Sequence, residues 1–368
     1  MRRDKDQVNK YLNISYVIES TELCGGVRVV FDQSRALKER GHTVLIISFA
    51  GDHKWYPYGI EVEYVDSIEA VKDREFDIVV STFWTTIEKA LRLKARGLLH
   101  LCQGYEGDTI EYAGIRSHIE KAYQVPIPKI VLGKWLEDRL ISVFGMEAFE
   151  TYIVGQIIDT RLYAPQSYIK RLIKTFTKKR LNVLIVGAFE YSVKAVEDGL
   201  KAVSIIRGKG YDVNLIRVSY TKAYPEESNI TPINEYYVKI TPLEMRDIYY
   251  KADIVISPSL SNEGFDLPFA ESLACGVPVI ATKIPSHMSL DNRADYAAFV
   301  STKDPLAIAN ALEDLINSPL KRLYLSHRGI QVTRNNFMAH TVAERLEKAF
   351  LSTIKQRRLP LNTWARES

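Results

Sequence analysis

Three cysteines in 368 residues, Cys24, Cys102 and Cys275, are too few, too far apart and odd in number for a disulfide framework, and they lack metal-site spacing. A reducing, cytoplasmic setting is the expectation. Long apolar runs are missing too. No stretch approaches the length of a membrane span, and the polar opening MRRDKDQVNKYLN lacks the apolar core of a secretory signal. Nor is there an excess of one charge: 49 basic and 45 acidic residues leave a net charge of +4, too balanced to argue for a nucleic-acid partner. Basic residues do gather locally, in KRLIKTFTKKR (170–180) and KQRRLP (355–360). Such runs are more often solvated faces; the other reading is peripheral contact with anionic lipid at the inner face of a membrane.

What is present is an alternation of strands and helices, with 46% hydrophobic residues, enough for two α/β cores. NISYVIES (13–20) reads as a β-branched strand and TELCGG (21–26) as a loop. VRVVFDQSRALKERG (27–41) then places Val27, Val30, Phe31 and Leu37 on one helical face, with Gly41 as its stop. HTVLIIS (42–48) closes a βαβ unit, and FDIVVST (76–82), a helix over 85–97 and LLHLC (98–102) continue it. The pattern breaks near 152–167, where a Pro-containing connection intervenes. A second alternation follows: strands at 181–189, 211–219 and 253–259, helices at 191–210 and 241–252. The expected class is α/β, with two Rossmann-like, doubly wound parallel-sheet domains, 1–160 and 161–338, facing across a cleft. The amphipathic tail 339–368, with Val342, Leu346, Ala349 and Phe350 on one face, either ends the second domain or crosses back to brace the first.

The segment SNEGFDLPFAESLACGVPVIAT (261–282) sits at the end of one of these strands. Pro268 suits a first helical turn, Gly276 stops that helix and VPVIAT is the next buried strand. Glu263 therefore lies in the loop and Glu271 in the early helix. The free N–H groups of a helix start attract anions, and carboxylates beside them suit hydroxyls, with hydrogen bonds to charged groups contributing about 1.5–3 kcal/mol each. A ligand carrying both phosphate and sugar hydroxyls, such as a nucleotide sugar, satisfies both features. A capping box or two solvated glutamates is the plainer reading of either residue alone.

The motif Glu263-Gly264-Phe265, Leu267-Pro268, Glu271, Ala274, Gly276 and Pro278-Val279 resembles the signature of the retaining glycosyltransferases of family 4, whose fold is called GT-B. GGVRVVFDQSRALKERGHTVLII and ADIVISPSLSNEGF are similar to the same family's glycine loop and pre-motif strand. The resemblance implies that Glu271 accepts the two ribose hydroxyls of a nucleotide donor. It implies that Glu263, with Gly264, Phe265, Asp266 and the adjoining Leu267, holds the donor sugar, and that Gly25 and Gly26 let the backbone approach the diphosphate. Lys194 stands where the family keeps a lysine to neutralise charge on the leaving group. The chain departs from the family at Ala188, where an arginine is usual, and Arg217 is the candidate substitute. It departs also at Asp266, where a glycine is common and where a carboxylate either binds a sugar hydroxyl or repels phosphate. Gln103 takes the place of an acceptor-side histidine, so Gln103, Tyr105 and Glu106 become the acceptor-side candidates; His100 reads as a packed strand residue.

No Asp-x-Asp pair occurs, and metal-held diphosphates need such carboxylates. No cofactor and no metal are therefore expected. The resulting reading is a retaining, metal-independent hexosyl- or deoxyhexosyltransferase of surface-polysaccharide or glycan biosynthesis. It would move sugar from a nucleotide-diphosphate donor to a glycan or lipid-linked glycan hydroxyl. Same-face attack is favoured, since no enzymic nucleophile stands out. The alternatives are another enzyme on the same fold, a nucleotide-sugar epimerase or a glycan phosphorylase, and a non-catalytic nucleotide-sugar-binding subunit. The base, the sugar, the acceptor and the oligomeric state are not written in any motif.

Overall fold

A computed structural model describes residues 11–145, 150–261 and 263–356. The run KQRRLP falls outside the described residues from 357 on, as do residues 1–10 of the polar opening. The chain divides into two compact units, Met1–Gly155 with Ala339–Ser368, and Gln156–Met338.

The first unit is built on β1 (Asn13–Ile18), α1 (Gly25–Glu39), β2 (Thr43–Ser48), β3 (Val62–Tyr64), β4 (Glu75–Ser81), α2 (Trp84–Leu91), β5 (Lys94–Cys102), α3 (Arg116–Tyr123), β6 (Lys129–Val131), α4 (Lys134–Phe144) and β7 (Thr151–Ile153). Its strands are parallel and lie in the order β3-β2-β1-β4-β5-β6-β7. Tyr16 of β1 is opposite Ile46 on one side and Val80 on the other. A strand covered on both faces reads as a continuous apolar run, and β1 is that strand: Ile14, Tyr16 and Val17 are fully buried. Two boundaries differ from the sequence expectation. Helix α1 starts at Gly25, so both glycines belong to its first turn rather than to the loop before it. Helix α2 ends at Leu91 and β5 begins at Lys94, because KARG pairs in register with Glu75–Ile78 of β4 instead of continuing the helix.

The second unit carries α5 (Tyr168–Thr177), β8 (Leu181–Val186), α6 (Val196–Gly208), β9 (Val213–Ser219), α7 (Pro225–Ile230), β10 (Glu235–Val238), α8 (Pro242–Lys251), β11 (Ile254–Ser257), α9 (Leu267–Ala274), β12 (Val279–Thr282), α10 (Pro285–Met288), β13 (Ala298–Val300), α11 (Pro305–Asn317) and α12 (Pro319–Asn336). Its parallel sheet runs β10-β9-β8-β11-β12-β13. Side chains on a strand alternate between faces, and β8 shows what that does: Leu184 packs with Val255, Phe269 and Tyr296, while Val183 and Ile185 pack with Leu200, Val203 and Leu312 on the other face. Burying each such side chain contributes about 1.5–3 kcal/mol. Helix α8 opens on a capping box: Thr241 Oγ1 accepts from the Glu244 N–H at 3.4 Å, and Glu244 accepts from the Thr241 N–H at 2.7 Å.

The last helix, α13 (Ala339–Gln356), belongs to the first unit. Its Val342, Leu346 and Phe350 are buried, and Glu347 accepts the Arg40 guanidinium on both carboxylate oxygens at 2.6 and 2.8 Å.

Both sheets reverse winding direction after their first strand, between β1 and β4 and between β8 and β11. In an open α/β sheet such a switch point leaves a crevice at the carboxyl ends, where ligands bind.

Candidate functional site

The switch point of the second sheet is built from the exits of β8 and β11. After β8 the chain passes through Gly187, whose φ of 138° lies in the region that only glycine adopts easily. A Cβ there would also sit 3.2 Å from Cγ of Lys194. Glycine at 187 thus lets the lysine side chain lie across the strand end. A single 3-10 turn, Ser192–Lys194, follows, and Ala195 is left-handed (φ 43°) before α6 begins. This non-glycine left-handed residue costs of order 1 kcal/mol and is typical of a site whose geometry matters more than its comfort. The exit of β11 is tied to this turn by the Leu260 N–H, which donates to the Val193 carbonyl at 2.8 Å.

The tie brings three charged side chains together. Lys194 Nζ is 2.9 Å from Glu263 Oε2 and 3.4 Å from Asp266 Oδ1. Asp266 is also bonded by the Ser257 hydroxyl, by Ser259 Oγ at 3.2 Å and by His287 Nε2 at 3.1 Å. Nδ1 of His287 faces the Thr282 carbonyl at 3.0 Å and therefore donates to it.

Burial would pull the Lys194 ammonium down, but Asp266 and Glu263 outweigh it and raise it above its usual range. Burial likewise would raise Asp266, yet Lys194, His287 and the Ser257 hydroxyl hold it well below the usual carboxylate range. Glu263 goes the other way: burial dominates, and Lys194 offsets it only in part, so its carboxyl is raised. Two neighbouring carboxylates are thus driven apart, a pattern that assigns separate roles to each. Asp266 is the fixed charge, held from three sides. Among the described residues Glu263 has Lys194 as its ion-pair partner, with His287 acting on it at longer range, and it is the carboxylate left to turn to a ligand.

The remaining candidates are placed as follows. Glu271 is buried in α9, and its carboxylate accepts the Tyr249 hydroxyl of α8 at 2.8 Å. Gly264 and Phe265 are half-buried, with the Phe265 ring 5.7 Å from that of Phe337. Leu267 packs its side chain into the core at the first turn of α9, which leaves only its backbone for a ligand. Arg217 corrects the expectation that it stands in for the missing arginine. It is fully buried on β9, ion-paired to Glu227 at 2.8 Å, and donates to the Ile185 and Gly187 carbonyls at 2.9 Å each. It braces the exit of β8 from inside. Ala188 is buried beside it.

In the first unit, Gln103 Nε2 donates to the Gly26 carbonyl at 3.1 Å. The structure thus joins a residue expected on the acceptor side to one expected on the donor side. Tyr105 does not face outward: it is buried, with its ring edge-on to Tyr123 and Phe144. The Glu106 carboxylate accepts the Tyr123 hydroxyl at 2.6 Å, and burial pushes it up to about 7. His100 is a packed strand residue, bonded to Ser81 at 2.9 Å. His287 escaped the sequence reading. The signal for it was PSH (285–287), two residues after the strand VIAT and so at the same carboxyl edge as the Glu263 motif.

Residues 180–318 match the family described as "Glycosyl transferases group 1". A D-inositol 3-phosphate glycosyltransferase of Paenarthrobacter aurescens (strain TC1) is 25% identical over 189 residues, 48% of this chain and 46% of that protein. The capsular polysaccharide biosynthesis glycosyltransferase CapM of Staphylococcus aureus is 25% identical over 168 residues, 44% of each chain. The chain spans about half the length of these curated relatives. Among solved structures, Anabaena Alr3699/HepE in complex with UDP and glucose superposes with a TM-score of 0.72 at 14% identity, covering 93% of this chain and all of that one. The fold is therefore that of the two-domain GT-B proteins. Over residues 180–318 the chain is thus similar to the group 1 glycosyltransferases.

Proposed function

We propose that the protein is a retaining glycosyltransferase that moves a hexosyl or deoxyhexosyl unit from a nucleoside-diphosphate sugar to a hydroxyl of a glycan or lipid-linked glycan. The observation that supports it most is the Lys194–Glu263–Asp266 cluster at the switch point of the second sheet. In the free protein the lysine is neutralised by the two carboxylates. On donor binding the diphosphate takes over Lys194, which releases Glu263 to accept hydroxyls of the sugar, while Asp266 stays with His287 and the two serines. Glu271 takes the ribose, and Gly25 and Gly26 give the diphosphate a close backbone approach. Gln103 and Glu106 serve the acceptor.

The step itself breaks the bond from the anomeric carbon to the phosphate oxygen and forms one from that carbon to the acceptor oxygen on the same face. The acceptor's proton passes to the leaving phosphate. Lys194 stabilises the charge that develops there, and Glu263 orients the sugar and is not a nucleophile. A charged lysine at the diphosphate does electrostatic work that a divalent cation does elsewhere, so transfer is independent of added metal. The setting is the cytoplasmic side of a membrane, in surface-polysaccharide or glycan assembly.

Nucleotide binding without transfer is the second reading, supported by Ala188 in place of an arginine and by Arg217 being spent inside the fold. Thermal-shift screening against nucleoside diphosphates and their sugars, starting with UDP, followed by transfer or hydrolysis assays of any stabilising donor, separates the two. Stabilisation with neither hydrolysis nor transfer to any glycan acceptor would overturn the enzymic reading. No stabilisation by any nucleotide would overturn both.

A further inference from the structure

Helix α5 is amphipathic the wrong way round for a surface helix. Its cationic side faces the protein. Arg171 donates to Ser326 Oγ at 2.6 Å and to the Gln166 carbonyl at 3.1 Å, and Lys174 donates to the Tyr250 carbonyl at 2.8 Å and pairs with Asp253 at 3.1 Å. Lys178 pairs with Asp253 too. Its apolar side faces out: Ile169, Ile173 and Phe176, at spacings of four and three, are 68%, 55% and 53% exposed, and Tyr168 is 57% exposed. No residue of the helix is buried. A surface helix normally buries its apolar stripe and solvates its charges. Here ion pairs and carbonyl bonds hold the helix on, and the described residues leave the stripe uncovered.

The charge around the stripe says what suits it. No carboxylate occurs from residue 160 to residue 189, while six cations lie between Lys170 and Arg180. Lys170 and Lys179 are exposed and make no ion pair among the described residues. Beside the start of α5 lies a hollow of about 530 Å³ between this helix and α12, lined by Tyr168, Arg171, His327, Gln331 and Arg334 among others. Cations at both ends of an exposed apolar stripe, next to a cationic hollow, match the acyl and phosphate layers of an anionic bilayer surface.

We propose that α5 is a membrane-docking helix: Ile169, Ile173 and Phe176 enter the headgroup boundary of an anionic phospholipid bilayer, with Lys170 and Lys179 on the surrounding phosphates and a headgroup in the hollow at Arg334. The docking surface lies wholly within the second unit. It shares only the membrane setting with the proposed function, and vesicle binding and donor binding are measured separately, so either fails without the other.

The test is co-sedimentation of the full chain with vesicles of phosphatidylcholine alone and with added phosphatidylglycerol. Wild type is expected to bind the anionic vesicles about tenfold or more tightly than the neutral ones. The double variant Ile173→Glu/Phe176→Glu is expected to lose that binding, with unchanged thermal midpoint and unchanged stabilisation by nucleotide. Lys170→Glu/Lys179→Glu, which touches no packed residue, should weaken binding to anionic vesicles and reduce its salt dependence. No binding by wild type, or equal binding by both double variants and wild type, would overturn the proposal. So would a dimer in sedimentation velocity that Ile173→Glu/Phe176→Glu abolishes in a protein without vesicle affinity, which would assign the stripe to a second copy.

Discussion

The two sheets are wound alike, yet the turns at their switch points are chemically different. The glycine turn that follows β1 is neutral: Gly25 and Gly26 start a helix and the contact made there is an amide, Gln103, on the Gly26 carbonyl, while Glu19 just past β1 pairs with Lys89 instead. The exit of β8 is ionic: a lysine held by two carboxylates, one of them fixed by a histidine and two serines, with a buried Arg217–Glu227 pair behind it. Topology supplies the same crevice twice, and the loop residues decide what each is for. A neutral backbone edge suits close approach. An ionic edge suits charge that appears and disappears during a reaction, since fixed charges in a water-poor site need no reorganisation when it does.

The sharpest way to break this contrast is to remove what braces the ionic edge. Arg217→Met would leave Glu227 buried without its partner, and breaking such a pair costs about 3–5 kcal/mol. The chain should show a large fall in its denaturation midpoint. A variant of wild-type stability that had lost nucleotide affinity would instead return Arg217 to the donor site. Next comes Glu263→Gln, which keeps the shape and removes the charge. Turnover should fall by about 10²–10³, as for loss of one positioned transition-state contact, while nucleotide-diphosphate binding in a thermal-shift assay stays close to wild type. Transfer at the wild-type rate would sink the role given to Glu263.

Glu106, three residues beyond Gln103 in the segment after β5, titrates, and it acts on stability. Burial raises Glu106 to about 7, above the ordinary value of a glutamate near 4.3. Between those two values the folded chain keeps a proton that the unfolded chain releases, so stability falls as pH rises through that window and is constant above it. Glu106→Gln keeps an acceptor for the Tyr123 hydroxyl and removes the titration. It should gain about 1–2 kcal/mol over wild type at pH 8 and little at pH 4, allowing for the half-exposure of the side chain. Denaturant titrations at the two pH values read the difference; an equal gain at both would show that Glu106 is ionised throughout.

Much of this contrast was legible beforehand. Alternating strands and helices carried the fold, because a strand buried on both faces has few sequence alternatives. The Glu263 motif carried the likeness to the group 1 glycosyltransferases. Other features were hidden for physical reasons. Asp266 could not be placed, since its partners Ser257, Ser259 and His287 come from the ends of two strands, and only the sheet brings those ends together. Arg217 invited a surface role because arginine is seldom buried, and its partner Glu227 lies across a loop with no pattern. Tyr105 looked available in an aromatic-rich segment, but Tyr123 and Phe144, from two other helices, close over it. Helix α5 was seen only as a basic run, because the cations that face inward cannot be told from those that face out without the carbonyls and Asp253 that receive them.

Gly26→Ala is the smallest perturbation and tests the neutral edge most finely. Gly26 has no positive φ, and an added Cβ would lie 3.4 Å from Gln103 Oε1, an ordinary contact. The methyl group is therefore tolerated by the protein alone, and in the first turn of α1 it trades a glycine for a good helix former. Stability should change by less than about 1 kcal/mol, with either sign. A diphosphate brought against the backbone at this turn would meet the methyl directly. The expected signature is thus a rise in KM for the donor at nearly constant kcat and nearly constant melting temperature. Unchanged donor KM would confine the diphosphate to the ionic edge, and the neutral one would then belong to the acceptor alone.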